Sequence, residues 1–329
     1  MNNISSKWTL RRILRETYIY IILVLTVIVF AVISKGRFLG VLNIVNILRS
    51  CSPTLLMASF ATLLMITGHS DMSVGGIIGL MAVIFAYSMQ ARLPLVLIFV
   101  FAVAVGVVAG LINGLLVVHF KITPFVATLA SMNIFHGVAK LLVPDSVDLI
   151  KGNMPENVAW FAKGKLLLNL PLAFWIGILI LIACVIVQKK TIWGKYTIAI
   201  GGNRTAAQLS GINATKIVWG LYVLVGIMAA VTGMYNASYM NAGDSDVGIG
   251  AEVDVIIAVL LGGTSFYGGK GSVIKTSVAV LVLTIFTKGL SSIGVDSYWA
   301  TLIKGVLFFG ALFIDNVLQD SVKYKAKKH

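Results

Sequence analysis

Charge is scarce in this chain. Of its 329 residues only 12% are charged while 58% are hydrophobic, which leaves too little polar surface to coat a soluble globule of this size. Cysteine is nearly absent: Cys51 and Cys184 each lie in or beside an apolar run, and two isolated cysteines license neither a disulfide nor a metal site. The four histidines, His69, His119, His136 and His329, are scattered, and none has a second ligand at metal-binding spacing. There is no H-E-x-x-H, no G-x-S-x-G and no pair of carboxylates on one helical face within the apolar runs, so no catalytic constellation is visible.

What the chain does have is a succession of about ten long apolar stretches. They run from Thr17–Ser34 through Pro53–Thr67, Val74–Gln90, Leu93–Val118, Thr123–Val143 and Pro171–Val187. Ile217–Tyr239, Val255–Gly263, Ser272–Thr287 and Tyr298–Val317 complete the set. A bilayer core about 30 Å thick needs roughly 20 apolar helical residues to cross it, so the shorter runs must draw on their flanking turns. The expectation is an all-α, polytopic transmembrane bundle of about ten spans, forming one membrane domain over residues 1–329 with no soluble domain. The first run is too long for an ordinary signal-peptide core and lacks a small-x-small cleavage site, so it reads as an uncleaved span.

The net charge of +14 is a topology signal. Lys7, Arg11, Arg12 and Arg15 precede the first span; Lys189, Lys190, Lys195, Arg204 and Lys216 share one long loop; Lys323, Lys325, Lys327 and Lys328 form the tail. With ten spans these segments fall on one side, which the positive-inside rule makes cytoplasmic. The expected cytoplasmic parts are therefore residues 1–16, the loop 188–216 and the tail 318–329, with attraction to anionic membrane lipid. The acids Asp145, Asp148, Glu156, Asp244, Asp246, Glu252 and Asp254 fall on the other side, the first three in an external loop at 144–170. No basic stripe is interleaved with exposed aromatics, so no nucleic-acid partner is expected. Residues 35–52 read as a short amphipathic helix at the outer surface leading into the second span.

Small residues mark helix contacts: Gly106, Gly110 and Gly114; Gly75 and Gly79; Gly226, Ala230 and Gly233. In lipid such faces let backbones approach closely, within this chain or against another subunit. The turn Gly262–Ser272 looks like a phosphate loop, but Lys270 is followed by Gly271 where a P-loop needs Ser or Thr, and Thr264 stands at the first glycine's place. The chain should not bind ATP itself.

Five strings carry a family resemblance: DMSVGG at Asp71–Gly76, GLINGLLV at Gly110–Val117, ITPFVATLASM at Ile122–Met132, GGNRTAAQLSGI at Gly201–Ile212 and VLLGGTSFYGGKGS at Val259–Ser272. In this order and spacing they resemble the ribose-type family of ABC importer permeases, whose members serve ribose, xylose, allose, galactose and autoinducer-2. The resemblance implies a permease in the bacterial cytoplasmic membrane that works as a pair, with a second copy or a sister permease. It implies a cytoplasmic ABC ATPase that uses ATP and magnesium, and a periplasmic or lipid-anchored sugar-binding protein. No cofactor is expected on this chain, and no enzymatic activity of its own. His69 departs from the family's usual Gly-Gly-Ile-Asp-Leu-Ser-Val-Gly turn, in which a small residue precedes the hydrophobic one. The competing classes are an ion-coupled secondary transporter, for which Asp71 alone is thin support, and a membrane enzyme.

Candidate sites follow. Asp71 is the only carboxylate between Glu16 and Asp145. With Ser70 or Ser73 it either caps the third span or, with His69 and Ser73, borders the solute pathway. Asn133, His136 and Lys140 share a helix face that either lines a hydrophilic cavity or spends Asn133 on a neighbour and lets Lys140 snorkel; Lys288 and Lys304 read as snorkelling too. Asp244, Asp246 and Glu252, with the loop 144–170, are the expected docking edge for the binding protein. Gly201–Ile212 is the expected ATPase-coupling element. Asn203 caps a short helix, Ala206, Ala207 and Leu209 form its contact face, and Ser210 and Gly211 end it.

Overall fold

The structure is a computed structural model that describes residues 2–143 and 156–326. Among these residues the chain is helical throughout, with one isolated bridge between Lys165 and Pro171 and no strand. The helices are α1 (Asn2–Ile33), α2 (Val41–Ile66), α3 (Val74–Gln90), α4 (Leu95–Gly114), α5 (Pro124–Leu142) and α6 (Glu156–Lys163). They continue with α7 (Leu172–Lys190), α8 (Ile192–Gly202), α9 (Arg204–Leu209), α10 (Ala214–Met240), α11 (Ala251–Leu261), α12 (Val273–Ser292) and α13 (Ser297–Ala326).

Six of them are long and apolar enough to cross a membrane: α2, α4 with its extension to His119, α5, α7, α10 and α12. Three shorter apolar stretches, Thr17–Ile33, Val74–Gln90 and Tyr298–Phe313, belong to α1, α3 and α13. α11, with 11 residues, is about 16 Å long and cannot cross by itself; the irregular segment 241–250 precedes it and packs against α3. Pro124 opens α5, where its missing N–H would have no helical partner anyway.

α10 is the centre. It packs against α4, α3 and α2, and its side chains Tyr222, Val225, Ala229 and Ala230 are fully enclosed. α4, α5 and α7 bury under a third of their apolar windows and turn Val108, Ile134, Leu141 and Leu179 outward, as lipid-facing helices do. The glycine faces do the intrachain work foreseen for them. A methyl group on Gly110 would stand 2.6 Å from the Tyr222 carbonyl oxygen, and one on Gly106 2.7 Å from the Gly226 carbonyl carbon. Gly75 and Gly79 pack likewise against Gly248 and Ser245. Close backbone approach is what replaces apolar burial as the adhesive between helices in lipid.

Residues 35–52 differ from expectation. After a 3-10 turn at Arg37–Leu39, the amphipathic part is continuous with the span in the single helix α2, which passes through Pro53. The proline has no N–H to give to the Arg49 carbonyl, and the Ser52 hydroxyl bonds the neighbouring Leu48 carbonyl at 2.7 Å. Polar residues of α2 are thereby carried down into the bundle instead of lying along its surface.

Candidate functional site

Those polar residues line a cavity of about 580 Å³ at the end of the bundle where α2 starts and where α10 and α12 end. Asn43, Asn46, Ser50 and Thr54 come from one face of α2, with Arg49 beside them. Thr232, Tyr235, Asn236 and Tyr239, at helical spacing, come from α10; Asp254 comes from α11, and Lys288, Ser291 and Ser292 from α12. The rings of Tyr235 and Tyr239 stack at 6.3 Å, and the Arg49 guanidinium lies 5.5 Å from the Tyr239 ring centre. Asp254 pairs with Lys304 of α13 at 2.7 Å, so Lys304 does more than snorkel. The Tyr235 and Thr232 hydroxyls and Arg49 Nε are buried without a hydrogen-bond partner among the described residues. Buried polar groups ordinarily have partners; these three lie enclosed in the wall of a hollow large enough for a small polar solute.

At the opposite end, the turn between α2 and α3 holds a second polar cluster. The Asp71 carboxylate accepts from the Ser73 N–H at 2.8 Å and the Ser73 hydroxyl at 2.6 Å. Asn113 of α4 donates to Ser73 Oγ at 2.7 Å and to Asp71 at 3.3 Å. The Met72 N–H donates to the Thr128 hydroxyl of α5, and the Tyr222 hydroxyl to the Ser70 carbonyl. His69 stands edge-on to Tyr222, with Nδ1 3.0 Å from the Thr67 hydroxyl. His69, Asp71 and Ser73 are all buried. Burial, joined by the positive charge of Arg204 and opposed by the Thr67 carbonyl, pushes His69 down to about 4. Burial pushes the Asp71 carboxyl up, against the hydrogen bonds from Ser73 and Asn113. Asp71 is thus a turn-forming residue bonded to α4, and the turn that carries it ties α3, α4, α5 and α10 together. The Asn113 carbonyl oxygen has no partner among the described residues, and α4 passes into a π-turn two residues later, at Leu115–His119. Such π-turns are frequent at functional sites.

The same end carries the glycine-rich strings. The Gly269 N–H donates to the Ile66 carbonyl at 2.9 Å, and a methyl on Gly201 would collide with that carbonyl. Gln188 of α7 donates to the Gly271 carbonyl and accepts from the Val273 N–H, fixing the start of α12. Asp315 accepts from the Ser265 hydroxyl and the Phe266 N–H, both at 2.9 Å, and draws in Lys270 at 3.7 Å. α9 has the expected ends: Asn203 Oδ1 accepts from the Ala206 N–H at 3.0 Å, and Gly211 takes φ +82°. Ala207 turns into the chain's own core, whereas Arg204, Thr205, Ala206, Gln208, Leu209 and Ser210 are exposed.

The remaining candidates fall elsewhere. Asn133 is exposed and bonds its own helix at Leu129. His136 and Lys140 both reach Asp246 at 3.2 Å, so this face of α5 clasps the segment 241–250 rather than lining the cavity. Asp244 is exposed; Glu252 is buried beside Gly75. Residues 144–155 of the acidic loop, with Asp145 and Asp148, lie outside the described residues. None of His69, Asp71, Ser73, Asn133 and His136 lines the cavity. The cavity residues could have been found as polar stripes at helical spacing in two otherwise apolar helices.

A multi-pass helical membrane protein with a polar cavity at one end and a glycine-rich, cation-bearing surface at the other has the make-up of a solute permease. Comparison with known proteins makes the class specific. A family described as branched-chain amino acid transport system / permease component matches residues 43–312, and the chain belongs to that family. It is 34% identical to the galactose/methyl galactoside import permease protein MglC of Escherichia coli K12, over 96% of each chain. It is 32% identical to the ribose import permease protein RbsC of the same strain, over 90% of this chain and 93% of that one. Against RbsC of Bacillus subtilis 168 the identity is 33%, over 89% and 90%. No solved structure matches. The protein is a membrane permease subunit of an ABC importer, multi-pass in the cytoplasmic membrane, and not an ion-coupled transporter. As a transport component of that family it works with an ATPase and a solute-binding protein.

Proposed function

We propose that this permease conducts a sugar or a related small polyhydroxylated solute, and that the 580 Å³ cavity is its point of entry from outside. The stripe of Asn, Ser and Thr hydrogen-bonding groups beside the stacked Tyr235 and Tyr239 carries this reading, because sugars offer hydroxyls at their rims and a flat C–H face to aromatic rings. The relatives' names, which speak of galactose and ribose import, support the same class.

In this reading ten helical segments cross or enter the membrane as one domain, with the N-terminus, the loop 188–216 and the C-terminus in the cytoplasm. The cavity end faces the binding protein, with Asp244 at its rim and the loop 144–170 nearby. α8 and α9 meet the ATPase through Arg204, Gln208 and Leu209, while Asn203 and Gly211 set the helix ends and Ala207 anchors it to the body. The polar turn at Asp71 is the inner end of the route, where helix rearrangement is triggered. A second permease subunit completes the translocation unit, and ATP with magnesium is consumed by the partner.

The test fills the cavity. Asn236→Trp should abolish uptake of the native solute by the complete importer in cells while the protein still reaches the membrane and assembles with its ATPase. Uptake at the normal rate by that variant removes the cavity from the route.

A further inference from the structure

The cavity carries an unbalanced charge. Three side chains charged at neutral pH line it: Arg49, Asp254 and Lys288. Asp254 is already neutralised, because Lys304 Nζ stands 2.7 and 2.8 Å from its two carboxylate oxygens. Arg49 and Lys288 have no carboxylate at ion-pair distance among the described residues. Arg49 rests over the Tyr239 ring instead, and its Nε is buried without a partner. Asp246, nearby in sequence, is held by His136 and Lys140. The lining with its Lys304 counter-ion therefore sums to two positive charges.

A neutral sugar gives no reason for this arrangement. Its hydroxyls are served by Asn, Ser and Thr, whereas the half-buried Arg49 gives up part of its hydration with no carboxylate in return, and the exposed Lys288 adds a second unpaired charge at the wall. An arginine with unused donors is the side chain best shaped for a carboxylate or a phosphate. The accessible Asn46, Ser50, Thr54, Ser291 and Ser292 of the same wall call for a solute that also carries hydroxyl groups. We infer that the transported solute is an anion: a polyhydroxylated molecule bearing a carboxylate or phosphate, its acid group met by Arg49 and Lys288 and its carbon skeleton lying beside the exposed Tyr239. The inference rests on the cavity being the solute's entry.

The test reads the charge of the cavity directly. Ser291→Cys places a thiol in the wall of the importer assembled in cells; the native Cys51 and Cys184 are buried and give a low background. The probes are two methanethiosulfonates, one with an anionic sulfonate and one with a cationic trimethylammonium, each rate normalised to that with a small free thiol. A positive cleft concentrates the anionic reagent, so it should gain on the order of tenfold over the cationic one. Arg49→Gln with Lys288→Gln should erase that gain. Galacturonate or galactose 6-phosphate should then slow labelling more than galactose does, and whichever is stronger identifies the acid group. A cationic reagent that keeps pace with the anionic one, equal or better protection by galactose, or no protection by either acid overturns the charge inference and leaves the entry reading standing. Failure of both reagents to reach the introduced thiol overturns the entry reading itself.

Discussion

Gly110→Ala in α4 should destabilise the protein, although the same exchange in a free helix would stabilise it. An added methyl would sit 2.6 Å from the Tyr222 carbonyl oxygen and 2.7 Å from the Val223 nitrogen, whereas unstrained carbon contacts lie at about 3.5–4.0 Å. The obstructing atoms are backbone, so no rotamer change relieves the overlap and α4 and α10 must part by about 1 Å. Overpacking of this kind costs about 1–3 kcal/mol, and alanine's helix preference returns about 1 kcal/mol. The net loss is up to about 2 kcal/mol. Gly137 in α5 supplies the control, because nothing lies within 4 Å of its added methyl. Gly137→Ala should leave stability unchanged or raise it by up to about 1 kcal/mol. Unfolding of the purified proteins in a mild detergent, titrated with a denaturing one, compares the two. Equal effects of the two substitutions would refute the argument that backbone contact between α4 and α10 holds the centre of the bundle.

Leu209→Glu, at a side chain 84% exposed, should cut uptake at least about tenfold (1.4 kcal/mol of coupling,) with folding intact; Ala207→Glu should lower the yield of folded protein instead, as a charge forced into the core does. Asn113→Ala removes the donor shared by Asp71 and Ser73 and should cost about 1–3 kcal/mol in the same unfolding titration; no change would show that the turn does not need α4. Lys304→Met should destabilise through the unpaired Asp254, and adding Asp254→Asn should restore most of the loss; strict additivity would dissolve the pair. His69 sits at about 4 in the fold against 6.5 unfolded, so its neutral form is favoured. Its contribution is intact above 6.5 and is lost as pH falls from 6.5 towards 4, about 3 kcal/mol in all. Asp71, pushed up by burial, works in the opposite sense, so the difference in melting between the native protein and His69→Gln across that window is the measurement; a flat difference sinks the assignment.

The helical class was legible because it depends on run length and charge scarcity, which need no tertiary information. The ends of α9 were legible for a similar reason: Asn203 and Gly211 act on their nearest neighbours along the chain. The cavity was not. Asn43, Asn46, Arg49 and Ser50 look like the polar face of a surface helix until α2 is seen to run unbroken through Pro53, and Thr232 to Tyr239 are diluted by apolar neighbours. Partnerships between distant positions were equally hidden. Lys304 reads as an interfacial lysine until Asp254 meets it from 50 residues away. Nothing local reveals that Asp315 organises the turn at Ser265, or that Asp246 is claimed by α5.

Where Ile66–Gly68, Gly201–Gly202 and Gly268–Gly269 meet, the close contacts are largely main chain on main chain. One hydrogen bond, from the Gly269 N–H to the Ile66 carbonyl, pins them at a point. α8 therefore cannot come closer to the bundle here without displacing the end of α2 and the turn that bears Asp71. Any side chain added there would wedge the three segments apart and carry the strain straight to that turn.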